Sequence, residues 1–359
     1  MPTSEDGESL RSGIVNVLLI SNMYPSEQKP YAGIFVKNQY EHLRSLVKDG
    51  DRIDIFYMKR KFTSAFGSFL KYIHAAVRFV PRCLRHYDVI HVHFFYPLYA
   101  LAFLYKLIHP RAKIIVTFHG GDTVKGRMHR TLFSLLAKKG DFTIAVGRQL
   151  AGQIRATLGL TVDRILCAGV DKNIFYKMDG VEKEYDVLFA GSFYSVKGVD
   201  VLLDAVKKLS DRTIRLCFAG SGPYYSEIVE LSKMYNITIK VDQTQEQLRN
   251  LYNKSKFIIQ PSRQEGFGLV VTEALYCGTP AIVANTGGLT DQVIDGANGF
   301  VLTSNTAEGI QCAITAALST KEGEYGRLSS NAEKSNAQFS LQTVCYELME
   351  IYRGMVNSR

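Results

Sequence analysis

Short runs rich in Val, Ile and Phe alternate with helix-patterned stretches, and the alternation runs through twice. The first series is "IVNVLLIS" (14–21), "RIDIFYM" (52–58), "DVIHVHF" (88–94), "KIIVTFH" (113–119) and "FTIAVG" (142–147). The second is "YDVLFAGS" (185–192), "IRLCFAG" (214–220), "ITIK" (237–240), "KFIIQPS" (256–262) and "TPAIVA" (279–284). Helical stretches such as "KNQYEHLRSLVKDG" (37–50) lie between them. Strands that alternate with helices predict a parallel sheet covered on both faces. Two such series in 359 residues predict two domains, since one hydrophobic core does not grow to that size. Residues 14–167 form the expected first domain and 185–340 the second, with the polar, unperiodic stretch 168–184 as linker. A helix at 341–359 closes the chain and could pack back on the first domain. Two doubly wound domains leave a cleft between the carboxyl ends of their sheets, where α/β proteins bind ligands.

Composition narrows the classes. With 46% hydrophobic and 21% charged residues the chain reads as an ordinary globular protein, disordered only in the polar tail 1–13. That tail lacks the basic start and apolar core of a signal peptide, so a cytoplasmic protein is expected. Six cysteines are scattered without a CxxC pair and read as reduced core residues, not a metal site. The run "FFYPLYALAFLY" (94–105) is too short to span a bilayer and fits a buried helix.

A dinucleotide fingerprint should follow the first strand of a unit, yet "NMYP" and "SFYSVKG" stand there. "DGD" (49–51) is turn chemistry rather than a cation-holding pair. The stretch "QPSRQEGFGLVVTEALYCGTPAIVANTGG" (260–288) is more informative. It reads as a strand, a loop carrying Glu265, and a helix whose first amides belong to Gly268, Leu269 and Val270. Those amides lack intrahelical partners and sit at the positive helix end, which suits phosphate. Glu273 lies about one turn further on, its side chain leaning back toward the helix start. Two carboxylates beside an anion site would accept hydrogen bonds from sugar and ribose hydroxyls. A capping carboxylate plus a solvated one is the plainer alternative.

Glu265 and Glu273, within "EGFGLVVTEALYCGTPAIVANTGG", resemble the E-x7-E motif of the retaining glycosyltransferases of family 4. "GSFYSVKG" (191–198), "AGVD" (168–171), "VIDGANGF" (293–300) and "MYPSEQKPYAGIFVKNQ" (23–39) are similar to further family segments. The resemblance implies a GT-B fold, two Rossmann-like domains closing over a nucleotide-diphosphate sugar without metal or other cofactor. It implies that Glu265 contacts sugar hydroxyls, Glu273 holds the ribose, and Lys197 neutralises the leaving diphosphate. Gly266, Phe267, Gly268, Leu269 and Val270 would surround the sugar and diphosphate, and Gly33 would let the amino-terminal backbone approach the phosphates. His119, ahead of Gly120, Gly121 and Asp122, would face the sugar and stabilise developing charge, with Asp122 on the acceptor side. One position departs from the pattern: Ser192 stands where the family's turn carries arginine.

Residues 59–86 contain seven Lys/Arg and no acid. At helical spacing Phe62, Phe66, Phe69, Ile73, Val77 and Val80 share one face, with Lys71, Arg78, Arg82 and Arg85 on the other. Such a helix, in a chain of formal charge +9, can lie on an anionic membrane or be a domain helix with a solvated basic face. No nucleic-acid motif accompanies the charge. The sequence thus points to a retaining hexosyl- or hexosaminyltransferase, extending a lipid-linked glycan of a cell-surface polysaccharide at the inner membrane face. A GT-B-type nucleotide-sugar epimerase, or a non-catalytic partner subunit, are the competing readings.

Overall fold

The computed structural model describes residues 14–26, 31–58, 65–95, 98–120 and 137–358, with the side chains of 65–71 outside that description. The tail 1–13 and Asp122 therefore lie outside the described residues, as do Phe62 and the side chains of Phe66, Phe69 and Lys71.

The first sheet comprises β1 (Asn16–Ser21), β2 (Arg52–Tyr57), β3 (Val89–His93), β4 (Lys113–Phe118), β5 (Phe142–Ala145) and β6 (Arg164–Ile165). They are ordered β2-β1-β3-β4-β5-β6, and every neighbouring pair is parallel. The second comprises β7 (Tyr185–Ala190), β8 (Leu216–Ala219), β9 (Ile237–Lys240), β10 (Ser255–Gln260), β11 (Ala281–Val283) and β12 (Gly299–Val301). Its order is β12-β11-β10-β7-β8-β9, again all parallel. Central strands such as β3 and β7 are buried almost end to end, because helices cover both faces of a parallel sheet. The strand order reverses between β1 and β3 in one sheet and between β7 and β10 in the other. Loops after these four strands open a crevice at each switch point.

Helices α1 (Ile34–Ser45), α2 (Ala65–Cys83) and α3 (Tyr99–Ile108) make the first crossovers. Right-handed connection places α2 and α3, which both lead toward β4, on the sheet face opposite α1. The chain continues through α4 (Arg148–Leu158), α5 (Val199–Lys207), α6 (Tyr225–Ser232), α7 (Gln245–Asn253), α8 (Leu269–Tyr276), α9 (Ala307–Leu318), α10 (Glu322–Lys334) and α11 (Leu341–Asn357). Although α11 follows the second sheet, it packs beside α1 on the first. Its Leu341, Val344, Leu348 and Tyr352 join the first apolar core, and the Tyr352 hydroxyl meets His91 Nδ1 at 2.6 Å.

Several expectations are corrected. The short strands β6 and β12 carry no long apolar run for a sequence reading to find. Helix α1 starts three residues earlier than 37 and ends at Ser45, leaving the predicted tail as a turn. Helix α3 is buried only along Tyr99, Leu101, Ala102 and Tyr105, while Leu107 is 63% exposed. Of the cysteines, Cys312 is exposed rather than in a core. Helix α2 departs most. Its sheet-facing residues are Ala75 and Phe79, the latter edge-on to Phe56 at 5.2 Å. Arg78, expected on a solvated face, is half-buried, lies 5.5 Å over the Phe56 ring and donates to the Tyr57 carbonyl. Arg82 is half-buried too, and Arg85 lies beyond the helix end, paired with Asp54 at 3.4 Å. The arginine stems pack inward as apolar chains, and Ile73, Val77 and Val80 are left in solvent.

Candidate functional site

The carboxyl end of β10 runs into the loop 261–268 and then α8. Gly268 has φ +88°, a left-handed conformation that favours glycine, and it turns the chain so that the Leu269 and Val270 amides open α8. Gln292 holds this loop. Its carboxamide nitrogen donates to the carbonyls of Phe267 at 2.5 Å and Gly288 at 3.0 Å, while its oxygen accepts from Thr272 at 2.5 Å. With the carbonyls tied back, the amides are the groups left to face a ligand. Sequence reasoning missed Gln292, since a glutamine one residue before a recognised segment carries no signal of its own.

Glu265 is nearly buried, and Lys197 reaches both its carboxylate oxygens at 2.9 and 2.8 Å. Ser262 donates to the same carboxylate at 3.2 Å. Lys197 is placed by a one-turn 3-10 helix (Ser195–Lys197), closed by Gly198 at φ +72°. A Cβ at Gly198 would run into the Pro261 carbonyl, so the turn and the Glu265 loop are seated directly on each other. Ser192, exposed, borders the adjoining cavity. The nearby Arg263 does not take the place of the missing arginine, because it is bound to Asp200 at 2.5 Å.

Glu273 receives a 2.8 Å hydrogen bond from the Tyr252 hydroxyl. Enclosure raises its pKa to about 7, an effect the tyrosine hydrogen bond partly opposes. Tyr252 is itself fully buried on α7, and it too was not singled out from the sequence.

The opposite wall comes from the first sheet. His119 follows β4, stacks on Phe94 at 4.4 Å between centroids, and its Nε2 lies 3.2 Å from His93 Nδ1. Burial, with His93 beside it, holds the His119 imidazole well below the usual histidine range. At neutral pH it therefore offers a hydrogen bond rather than a charge. The two walls touch at Gly266, where a Cβ would strike the His119 carbonyl oxygen. Phe267 is buried in the first unit's core, edge-on to Phe339 at 4.9 Å. It fastens one unit to the other. Gly33, at φ +74°, packs against the Met23 backbone, so its close approach is to its own loop.

Two adjoining cavities result. One, of about 320 Å³, is bordered by Ser192, Asp242, Gln243 and Glu273. The other, of about 270 Å³, is bordered by His119, Lys197, Glu265 and Gly266. Gly191, Leu269 and Val270 border both and mark the junction. Among the described residues Lys197 is the one Lys or Arg bordering either cavity. Arg78, Arg82 and Arg85 border neither. No group of His, Cys, Asp and Glu suited to a metal ion occurs among the described residues.

Sequence and structure comparisons accord with this arrangement. The family model "Glycosyl transferases group 1" matches residues 171–335, and "Glycosyltransferase Family 4" matches residues 35–171. An uncharacterised glycosyltransferase of Methanocaldococcus jannaschii is 29% identical over 75% of this chain and 76% of its own length. The N-acetyl-alpha-D-glucosaminyl L-malate synthase of Bacillus anthracis is 26% identical over 73% of this chain and 75% of its own. Among solved structures, the sucrose-phosphate synthase of Thermosynechococcus elongatus superposes with a TM-score of 0.77 at 19% identity, covering 96% of this chain and 100% of that one.

Proposed function

We propose, from the premise that this chain belongs to the group 1 glycosyltransferases of family 4 and has the GT-B fold, that it transfers a hexosyl or hexosaminyl unit from a nucleotide-diphosphate sugar to a glycan acceptor with retention at the anomeric carbon. The observation that carries this reading is the paired cavity with amides at its junction. A nucleoside fits the larger cavity, its ribose on Glu273, and a sugar fits the smaller between Glu265 and His119. The diphosphate then lies at the junction, against the Leu269 and Val270 amides and within reach of Lys197. The glucosaminyl transfer named for the Bacillus anthracis relative supports a hexosamine among the donors.

Each residue then has a physical task. The amides and Lys197 stabilise charge that grows on the leaving diphosphate, in a site where no solvent has to reorganise. Glu265 fixes the sugar through its hydroxyls, and His119 supplies a neutral hydrogen bond across the ring. Among the described residues Glu265 is the one carboxylate bordering the sugar cavity, and Lys197 occupies it. An inverting transfer needs a base behind the sugar. Front-face transfer needs none, since the departing diphosphate oxygen can take the acceptor proton. The proposed transfer uses no metal ion.

For the acceptor we propose a lipid-linked glycan of a cell-surface polysaccharide, because the first unit carries basic and apolar residues on one outer face. The test is binding and transfer. Thermal shifts across a panel of nucleotide-diphosphate sugars should single out one donor, as a bound ligand stabilises by mass action. Transfer from that donor to a lipid-linked glycan, followed by NMR, should show the donor's anomeric configuration kept. A product of inverted configuration would overturn retention, and the absence of any stabilising donor would overturn the reading as a whole.

A further inference from the structure

Behind His119 runs a row of polar side chains that the chemistry above does not use. His91 and His93 alternate along β3 and so share a sheet face, and Thr117 of β4 lies in register with His93. Both β3 histidines are buried, where a polar group costs free energy unless it is hydrogen bonded. His91 is fully provided for. Its Nδ1 meets the Tyr352 hydroxyl at 2.6 Å and its Nε2 meets Thr117 Oγ1 at 2.8 Å. His93 is not. Its Nδ1 lies 3.2 Å from His119 Nε2, but its Nε2 is buried without a partner among the described residues.

Gln39, on α1, has the complementary gap. Its amide nitrogen donates to the Ala168 carbonyl at 3.2 Å, and its Oε1 is buried without a partner among the described residues. The opposite amide orientation would set oxygen against the Ala168 carbonyl, so Oε1 is an acceptor in need of a donor. A cavity of about 10 Å³ is bordered by Gln39, His93, Thr117, His119 and Ala168. That is about the space one water takes.

These two atoms decide where the protons of the row sit. Burial holds all three imidazoles below the usual histidine range, His93 at about 4, so each is neutral with one donor and one acceptor. With Nε2 protonated, His93 supplies the donor that Gln39 lacks, with or without a water between them. With Nε2 bare, two acceptors would face each other. We propose that Gln39 and His93 are positioning residues for His119. Gln39 Oε1 takes the His93 Nε2 proton, directly or through one water, and His93 Nδ1 then accepts from His119 Nε2. Any hydrogen bond from His119 to the sugar therefore runs through Nδ1, as an acceptor from a hydroxyl. Accepting from that hydroxyl leaves the sugar richer in electrons, which suits positive charge developing at the anomeric carbon. This last step rests on the proposed transfer, whereas the tautomer does not.

The experiment is a long-range proton–nitrogen NMR correlation on the full chain labelled with 15N-histidine, the His119 signals being assigned by their loss in His119→Gln. Wild-type His119 should carry its proton on Nε2, with Nδ1 bare. Gln39→Leu should give a mixture of tautomers at His93 and His119. His93→Asn, whose amide oxygen can stand where Nδ1 stood, should keep the His119 tautomer, and His93→Leu should lose it. In turnover, His93→Leu should fall about tenfold, the size of one neutral hydrogen bond, and His93→Asn should recover most of that. Nucleoside-diphosphate affinity should hold in both, because His93 does not border the larger cavity. A wild-type His119 protonated on Nδ1 overturns the proposal, as does an unchanged His119 tautomer in Gln39→Leu, a readout that stands even if His93→Leu fails to fold. A folded His93→Leu with wild-type turnover, or His93→Asn no better than His93→Leu, overturns it equally. Absence of transfer from every nucleotide sugar would instead overturn the proposed function, and the tautomer measurement would still decide this inference.

Discussion

Lys197 and Glu265, separated by 68 residues in sequence, meet through both carboxylate oxygens at 2.9 and 2.8 Å. The pair spans the switch point of the second sheet, one partner on the turn after β7 and the other on the loop after β10. Each is the other's principal partner, so neither can be removed without leaving a charge poorly compensated.

Three variants separate their roles. Lys197→Ala should reduce turnover roughly a hundredfold and weaken nucleoside-diphosphate binding. Glu265→Gln should reduce turnover by a similar factor with diphosphate binding near wild type, because Glu265 borders the smaller cavity and not the larger one. Losing a hydrogen bond to a charged group is worth about 1.5–3 kcal/mol. The double variant should lose clearly less than the product of the single losses, since residues in contact couple. Steady-state kinetics with calorimetric titration of the nucleoside diphosphate measures all three. Strict additivity would mean that the pair does not act as a unit.

Glu273 predicts a pH dependence. Its pKa in the folded chain is about 7, raised from an ordinary value of 4.5. A carboxyl raised on folding holds its proton more tightly in the native state, so its contribution to stability falls as pH rises from about 4.5 toward 7. Glu273→Gln should flatten that part of the denaturation profile. Only the ionised group accepts from a ribose hydroxyl through both oxygens, so nucleotide affinity should rise with pH up to about 7. The phosphates titrate as well, and the ratio of wild-type to Glu273→Gln affinity removes their share. A ratio that stays constant from acid to neutral pH would contradict the assignment.

Gly266 sets how closely the two units approach. Its φ is not left-handed, so alanine costs little locally, but the added Cβ would strike the His119 carbonyl. Overpacking of this kind costs about 1–3 kcal/mol, or roughly five- to a hundredfold in the population of the closed arrangement. Turnover of Gly266→Ala should fall by that range. Nucleotide binding should hold, and small-angle scattering should show a larger radius of gyration. Wild-type turnover with an unchanged radius would show that the contact is dispensable.

Much of this was legible in the sequence, for reasons that particular residues make plain. Buried parallel strands such as β1 and β10 announce themselves as unbroken apolar runs, and their alternation with helices fixes the layering. Lys197, Glu265 and Gly266 lie in loops that follow strand ends and Glu273 in the helix that follows one of them, where short segments carry recognisable patterns. What failed depends on contacts across the fold. Tyr252 and Gln292 act through partners 21 and 20 residues away, and their types are common in helices and turns. The orientation of α2 could not be read from periodicity either. A helical wheel gives two faces, but the packing of Phe79 on Phe56 and of Arg78 over the same ring decides which one turns inward.

The departure at Ser192 carries the sharpest remaining test. A diphosphate at the cavity junction needs positive charge, and among the described residues Lys197 is the one Lys or Arg bordering either cavity. Arg263 cannot swing in freely, being held by Asp200 and by the Ser195 carbonyl. Ser192 borders the larger cavity and is exposed, so a longer side chain has room there. Its hydroxyl can make a neutral hydrogen bond, whereas an arginine would bring a planar, permanently charged fork. Ser192→Arg should therefore tighten nucleoside-diphosphate binding in the Lys197→Ala background, restoring about 1–2 kcal/mol of the lost affinity. In the wild-type background the gain should be smaller, because the first cation already compensates most of the charge. Calorimetric titration of the two single variants and the double gives the coupling directly. Zero coupling would place Ser192 away from the phosphates, and a loss of affinity in both backgrounds would show that the space beside Gly191 is already filled when the donor is bound.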